Sequence, residues 1–318
     1  MKTLIRSDLR TWADRAIEVA WQGGAAHSVS PAKLTWPVDP ATLKEMKVRW
    51  PTKFNWRYQR PWGDQIASGL RRLVKLECVD IPQRHGGIIA FELIVCDRKH
   101  RVNIEVSDCA ELNEEALRDC DLHFKMQYGH AGYGNQEHLL PGGFINADKV
   151  IYRFLPRLRA LRDRFVDQYE VYGRFELTMD RRRKPLEILL GSDRFAFEGG
   201  EGRARYSRYL REVARSKVCI DLPGTASMTF RLFDYFAVGA CIVAPPHVCR
   251  LPIPFEDGVH IAYCKEDYSD LEEKCAYYVE HEEERRRLIR NSRDFFDAYM
   301  HRDQIASYYL FHCLKLLG

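Results

Sequence analysis

The C-terminal half of the sequence alternates short apolar runs with longer segments of helical periodicity. The apolar runs predict five strands, at Gln168–Phe175, Arg194–Glu198, Val218–Leu222, Ala240–Ala244 and His260–Cys264. Between them the pattern predicts helices at Arg183–Leu190, Arg205–Lys217 and Met228–Val238. Strands that alternate with helices at this spacing form parallel sheets, and near-continuous apolar strands are covered on both faces. The pattern therefore predicts an α/β fold.

From Ser269 onward the pattern is helical throughout, which predicts a helical C-terminal tail. Three segments carry it: Asp270–Val279, Glu282–Tyr299 and Gln304–Leu317. The middle segment is charged at its start and aromatic at its end, and the last one is amphipathic.

The N-terminal half is less regular. Helices are predicted at Asp8–Trp21 and Lys149–Arg164, and strands at Gly87–Val95, Val102–Val106 and Asp121–Gln127. Residues 22–64 are rich in Pro, Trp and Gly, which predicts mostly loop. A chain of 318 residues is long enough for two domains. We place the boundary near residue 166, giving domains 1–165 and 166–318.

Composition excludes some classes of protein. The 49 Lys and Arg against 45 Asp and Glu leave a net charge of +4, which does not require nucleic acid but leaves a local basic groove open. The ten cysteines form no CxxC pair, which favours buried, reduced thiols over a zinc site. No apolar run approaches the ~18 residues of a membrane span. Met1–Asp8 becomes charged too early for a signal peptide, so we expect a cytoplasmic protein.

The segment 216–246 holds the clearest candidate chemistry. The predicted strand Val218–Leu222 contains Asp221 near its end, a Pro-Gly turn follows, and the next helix carries Arg231 and Asp234 three residues apart on one face. Ligands of α/β proteins bind at the carboxyl ends of parallel strands. A helix N-terminus and an arginine suit a diphosphate, and a carboxylate suits ribose hydroxyl groups.

Residues 229–243, TFRLFDYFAVGACIV, resemble the nucleotide-sugar signature of GT-B glycosyltransferases, close to the group-1 and exostosin-like C-terminal domains. The resemblance covers roughly residues 168–318. It implies two Rossmann-like domains in the GT-B architecture, a last helix that packs on the N-terminal domain, and a nucleotide-diphosphate sugar as donor substrate. It also implies no cofactor and no metal, and the chain has no DxD-like pair at the expected place.

Two positions depart from the resembled pattern. The family usually has Glu where this chain has Asp234, which shortens the reach toward ribose. Retaining members often have a second Glu seven or eight residues earlier, where this chain has Ser227 and Ala226. The stereochemical outcome therefore stays open.

The donor-binding residues expected from the pattern and the resemblance are Gly173, Gly224, Thr225, Ser227, Thr229, Arg231 and Asp234. Each has a simpler interpretation. Arg231 could pair with a surface acid, Asp234 could be an exposed helix residue, and Gly224 could be a plain turn glycine. Thr225 and Ser227 could be helix caps. The glycines at 199, 200 and 202 could wrap the base or form a common turn.

The expected catalytic residues are Arg231, Arg174, Lys125 and His130. Arg174 ends the first C-terminal strand and would neutralise the leaving diphosphate, unless it forms only a surface salt bridge. Lys125 would reach the phosphate from the other side of the cleft. Spacing does not choose among His130, Glu137 and Asp108 as the base on the acceptor side.

The acceptor is a carbohydrate or another glycosylatable group, and two rival functions remain open. One is transfer to a nucleic-acid base, as phage DNA glucosyltransferases do, which the basic stretches 153–164 and 181–184 would serve. The other is a non-catalytic module that binds nucleotide sugars, because one architecture hosts many functions.

Overall fold

The computed structural model describes residues 12–21, 31, 33–142, 145–164, 166–176, 180–202 and 204–318. Within these ranges the chain forms two sheets flanked by helices. Residues 12–21 are helical (α1), and the rest of the helix predicted at Asp8–Trp21 lies outside the described residues. The segment Met1–Asp8, on which the expectation of no signal peptide rests, also lies outside them.

The first sheet has six strands in the order β2-β1-β3-β4-β5-β6. Strand β3 runs antiparallel to β1 and β4, and the other neighbours are parallel. The strands are β1 (Lys47–Pro51), β2 (Lys75–Val79), β3 (Ile88–Val95), β4 (Arg98–Glu105), β5 (Leu122–Lys125) and β6 (Leu139–Pro141). The accompanying helices are α2 (Pro40–Glu45), α3 (Arg60–Leu70), α4 (Glu114–Arg118) and α5 (Lys149–Asp163).

Residues 22–64, predicted as mostly loop, contain α2, β1 and the start of α3. That prediction was wrong for these stretches, and for β1 the reason is its length. Val48, Trp50 and Pro51 of β1 are buried, and a run of five residues is too short to show an alternating pattern by itself. Tertiary burial therefore decides this strand.

The second sheet has five strands, all parallel, in the order β11-β10-β9-β7-β8. The strands are β7 (Tyr169–Phe175), β8 (Phe197–Glu201), β9 (Ser216–Ile220), β10 (Ile242–Ala244) and β11 (Ala262–Tyr263). The helices are α6 (Arg183–Gly191), α7 (Tyr206–Ala214), α8 (Phe230–Val238) and α9 (Leu271–Glu280). The predicted domain boundary falls between α5 and β7. Six cysteines, among them Cys219 and Cys241 of this sheet region, are buried as expected for small apolar side chains, but Cys78, Cys96 and Cys109 are exposed.

All five predicted strands are present, but β8 begins later and includes the glycines that were expected to end it. Gly199 stands opposite Gly173 of β7. Its φ is +122°, and an added Cβ would collide with the Gly173 carbonyl group. Glycine at 199 therefore lets the two backbones approach inside the ladder. Helix α8 begins at Phe230 instead of Met228, because the Thr229 side chain caps it.

The tail consists of α10 (Glu282–Phe295), a π-helical turn (Phe296–Met300) and α11 (Arg302–Leu317). Helix α11 packs on the first sheet: the Tyr308 hydroxyl donates to the Pro141 carbonyl at 2.7 Å, and the rings of Phe124 and Tyr309 lie 4.6 Å apart. The chain is thus an α/β protein with two Rossmann-like domains and a helical tail, as predicted. In the part of the chain that the structure describes, no helix is long and apolar enough to cross a membrane.

Candidate functional site

The order of the second sheet fixes where a ligand site belongs. From β7 the chain crosses to β8 on one side and then to β9 on the other, so the direction of winding changes between β7 and β9. At such a switch point the loops diverge and leave a crevice at the carboxyl ends of the strands. Glu176, which follows β7, and Gly224, which follows β9, both line a cavity there.

Two adjoining cavities occupy this crevice and share Glu176, Arg182, Tyr206, Phe230, Arg231 and Asp234. The inner cavity, about 490 Å³, lies within the second domain and is also bounded by Arg174, Phe175, Gly202, Ala204 and Tyr209. The cleft cavity, about 720 Å³, lies between the domains, because its opposite wall is formed by Trp56, Tyr58, Pro61, Trp62, Val106, Asp108, Ala147 and Asp148. A third, the side cavity of about 480 Å³, shares Asp108, Thr225 and Ala226 with the cleft cavity.

The start of α8 is tied to the end of β9 by polar contacts. The Thr229 hydroxyl donates to Asp221 at 2.7 Å and accepts from the Leu232 N–H at 3.3 Å. Asp221 is 1% exposed. Because a buried carboxylate needs partners, this bond both caps the helix and holds the loop that carries Gly224 to Ser227.

Arg231, in the first turn of α8, is the principal cation of the site. It is 9% exposed, its Nη1 lies 3.6 Å from Asp221 Oδ1, and its guanidinium stacks over Phe175. Burial opposes its charge, but Asp221 together with Tyr235, Tyr209 and Asp234 outweighs burial, so the pKa of Arg231 is raised. Among the described residues Nη1 has no hydrogen-bond partner. Arg231 lines both cavities, and a buried guanidinium with a nitrogen that lacks a hydrogen-bond acceptor fits an anionic ligand.

Asp234 lies one turn further along α8 and lines both cavities. Its Oδ1 accepts from Asn146 Nδ2 at 2.7 Å and from the Tyr206 hydroxyl at 2.8 Å. Burial raises the pKa of Asp234 to about 7, despite these two hydrogen bonds. Asp234 is therefore a buried carboxyl group held between α7 and the segment before α5, and not an exposed helix residue.

Replacing Asp234 with Asn should change the pH dependence of stability. Between the ordinary pKa of about 3.9 and the folded value of about 7, the folded state holds a proton that the unfolded state has lost. Wild-type stability therefore falls as pH rises through this window. The Asp234→Asn side chain keeps an oxygen acceptor without the charge, so the variant should be more stable at pH 8, on the order of 3 kcal/mol.

Urea unfolding at pH 5 and pH 8 measures this difference. Asp294→Asn, at an exposed aspartate of α10, is the matched control and should keep the wild-type pH dependence. If the free energy of unfolding changed equally between pH 5 and pH 8 in wild type and Asp234→Asn, the assigned burial of the Asp234 charge would be contradicted.

Residues 153–310 match a family described as glycosyl transferase-like. Residues 153–310 belong to the glycosyl transferase-like family. The match spans the whole second sheet, α8 and most of the tail, and it supports a role in glycosyl transfer. A search of curated proteins finds no match to the chain.

In the glycosyl transferase-like domain, Arg182 is a site residue that sequence reasoning missed. It is buried and donates to the carbonyl groups of Glu176 and Pro223 at 2.8 and 2.9 Å, and so joins the loops after β7 and β9. Burial and the charge of Arg231 lower its pKa. The sequence shows it only as part of the basic stretch 181–184, where a charge run resembles a solvated face.

Arg174 and Gly173 of the transferase-like domain lie at the end of β7. Arg174 borders the inner cavity, but its Nε donates to Glu212 Oε2 at 2.9 Å and to the Tyr172 hydroxyl at 3.2 Å. Its positive charge is thus already paired. Gly173 lies inside the ladder, where an added Cβ would collide with the Phe175 ring. Gly173 is not among the residues that line the three cavities.

The loop between β9 and α8 places the other predicted donor residues. Gly224 lines the cleft cavity, and an added Cβ would lie 3.1 Å from Arg182 Nη2. Thr225 lines the cleft and side cavities. Ser227 borders the side cavity and accepts from the Val248 N–H at 2.8 Å. These residues and Thr229 surround the start of α8 together with Arg231.

Neither Lys125 nor His130 is among the described residues that line these three cavities. Lys125 is fully buried, and its Nζ donates to Glu105 at 2.6 Å and to the Cys109 carbonyl at 3.0 Å. His130 Nε2 lies 2.9 Å from the His247 carbonyl oxygen. Of the three candidate bases, Asp108 lines the cleft and side cavities, and burial raises its pKa. Lys125 thus holds the loop that carries Asp108.

The cleft is also lined by aromatic residues that were predicted to lie in a loop or on the apolar face of a helix. Trp56, Tyr58 and Trp62 line its N-terminal wall, and Tyr206 borders both cavities. In the sequence, the high frequency of Trp and Pro before residue 64 was the signal that could have indicated this aromatic wall. Tyr206 was missed because its spacing on α7 matched an ordinary apolar face. In the described chain, no group of three or more His, Cys, Asp or Glu is arranged to hold a metal ion.

Proposed function

We propose that the protein transfers a sugar from a nucleotide-diphosphate sugar to an acceptor bound in the cleft cavity. The observation that carries the proposal is Arg231: a buried guanidinium in the first turn of α8 that lines the cleft cavity and has one nitrogen without a hydrogen bond. The N–H groups at the start of a helix and a nearby arginine both favour a diphosphate.

The remaining donor groups fit around that position. The diphosphate lies against the loop 224–229 and Arg231, and the ribose hydroxyl groups donate to Asp234. The base enters the inner cavity, where Phe175, Tyr209 and Phe230 offer apolar contacts. Pockets of this composition, largely apolar with a few placed polar groups, are typical of nucleotide ligands.

Catalysis in this proposal is stabilisation of the leaving diphosphate. Negative charge grows on the diphosphate as the glycosidic bond breaks, and Arg231 and the helix dipole are already oriented toward it. Arg174 and Lys125 do not contact the diphosphate in this mechanism, because their charges are paired with Glu212 and Glu105. The mechanism uses no metal, and closure of the two domains excludes water.

Three of the nine basic residues in the stretches 153–164 and 181–184 are unavailable to a nucleic acid, whereas Arg153, Arg164, Arg181, Arg183 and Lys184 are exposed. Arg159 donates to Asp297, Arg162 donates to the Ser216 carbonyl, and Arg182 braces two loops. All three are buried. Because these arginines bind groups of the chain itself, they are not free to contact a phosphate backbone, which needs accessible cations.

A nucleotide panel tests the proposal. Thermal unfolding is followed with UDP, GDP, ADP, CMP and TDP. At about 100 times its dissociation constant, the cognate nucleotide should stabilise the fold by about 2.7 kcal/mol and raise Tm by about 5–10 °C.

Arg231→Ala should lose the shift, whereas Arg183→Ala, at an exposed arginine of α6, should keep it. Absence of a shift with every nucleotide, or a shift that survives Arg231→Ala, would refute the donor site.

A further inference from the structure

The N-terminal wall of the cleft cavity presents aromatic side chains to the space opposite Arg231. Trp56 is 37% exposed and Tyr58 53%, and their rings lie 5.2 Å apart at 67°. Trp62 lines the same cavity. Large aromatic side chains are usually buried, so an exposed group of them beside a cavity suggests a binding surface.

The chain holds these side chains on a rigid support. The N–H of Trp56 donates to Oε1 of Gln59 at 3.0 Å, which caps a short 3-10 turn, and Gln59 is itself fully buried. Pro61, with its fixed φ, lies in the first turn of α3. Helix α3 packs on α11, where Gly69 lies against the Arg302 carbonyl group. A surface fixed in advance loses little entropy when a ligand binds.

The charged residues of this wall are acidic. Asp108 follows β4, and Asp148 caps α5 by accepting from the Val150 N–H at 2.8 Å. Among the described residues of this wall, none is Lys or Arg. Arg57 stacks on Tyr58, with its guanidinium carbon 4.6 Å from the ring centre, but it is not among the residues that border the cavity.

This chemistry selects among acceptors. The aromatic faces suit the C–H faces of a sugar ring, and the two carboxylates accept hydrogen bonds from its hydroxyl groups. A phosphorylated or polyanionic acceptor would meet like charges at Asp108 and Asp148. Single-stranded nucleic acid also stacks on aromatic side chains, but its sites add a positively charged groove, which this wall lacks in its described residues.

We infer that the wall formed by Trp56, Tyr58, Trp62, Asp108 and Asp148 binds an uncharged carbohydrate as the acceptor. The inference rests on the proposed function for the direction of transfer. The site of binding and the class of ligand depend on this wall alone.

Binding of the full chain to an array of neutral, sulphated, sialylated and phosphorylated glycans, with single-stranded DNA alongside, tests the inference. Binding confined to neutral glycans is expected. The strongest neutral glycan is then titrated by tryptophan fluorescence, since all six tryptophans precede residue 63. Trp56→Ala and Tyr58→Ala should each weaken binding at least about 10-fold. The control Trp12→Ala, at a residue 70% exposed on α1, should bind as wild type.

A second arm tests the charges. Asp108→Asn combined with Asp148→Asn should narrow the preference for a neutral glycan over its phosphorylated form by at least about 10-fold. The inference is overturned by tighter binding of DNA or anionic glycans, by no neutral glycan binding, or by binding indifferent to Trp56 and Tyr58. Nucleotide binding in the thermal panel is independent of this wall. A nucleotide shift without glycan binding would therefore overturn the acceptor inference alone, and the reverse would overturn the donor site alone.

Discussion

Replacing Arg231 with Ala should lower kcat/KM for the nucleotide-sugar donor by about 10²–10³-fold, the usual effect of removing one oriented donor from a developing negative charge. The side chain combines a charge, a buried position and a nitrogen without a protein acceptor. Its loss leaves the leaving diphosphate only the dipole of α8. Steady-state kinetics with the donor identified by the nucleotide panel gives the ratio.

Two control variants separate this effect from damage to the fold. Arg231→Lys keeps the charge but loses the planar fork, so its activity should fall between wild type and Arg231→Ala. Arg183→Ala, an exposed arginine paired with Asp180, should leave kcat/KM unchanged. Asp221 keeps the Thr229 hydroxyl as a partner, so Arg231→Ala should still fold. Unchanged kcat/KM in folded Arg231→Ala would show that the guanidinium only neutralises Asp221.

Replacing Lys125 with Met should reduce the free energy of unfolding by about 3–5 kcal/mol, because it leaves the Glu105 carboxylate buried without its cation. Burial alone would raise the pKa of Glu105, but hydrogen bonds from His123 and Lys125 and the charge of Lys125 lower it. The carboxylate is thus ionised in the folded protein and depends on these partners. Urea unfolding followed by tryptophan fluorescence measures the loss, since every tryptophan lies in the first domain.

Lys99→Met is the matched control, because Lys99 also pairs with a glutamate on an adjacent strand, Glu92 at 3.1 Å, but its side chain is 59% exposed. Its loss should be no more than about 1 kcal/mol. Adding Glu105→Gln to Lys125→Met should recover part of the lost stability, because the unpaired charge is removed. Equal losses for Lys99→Met and Lys125→Met would contradict a buried pair. Unchanged donor binding in folded Lys125→Met would confirm that Lys125 acts through the loop at Cys109 and not on the phosphate.

Much of the second domain was predictable because its signals are local. Continuous apolar runs mark strands covered on both faces, and Gly239 ends α8 at φ +83° as expected of a helix-terminal glycine. The spacing of Arg231 and Asp234 places them on one face of that helix whatever surrounds it. The first domain was less predictable, because the segment between β1 and α3 shows neither the hydrophobic period of a strand nor that of a helix.

The sequence by itself determined the α/β alternation, the helical tail, and a polar loop followed by a helix with Arg231 and Asp234 at the end of an apolar strand. Only the tertiary structure decided which groups meet there. Asn146 donates to Asp234, which lies 88 residues away in the sequence. Arg182, from a basic stretch, donates to carbonyl groups of two loops, and Lys125 forms a buried ion pair with Glu105. The reason is physical: period and capping act over a few residues, whereas burial and charge pairing depend on which strands and helices the sheet order brings together.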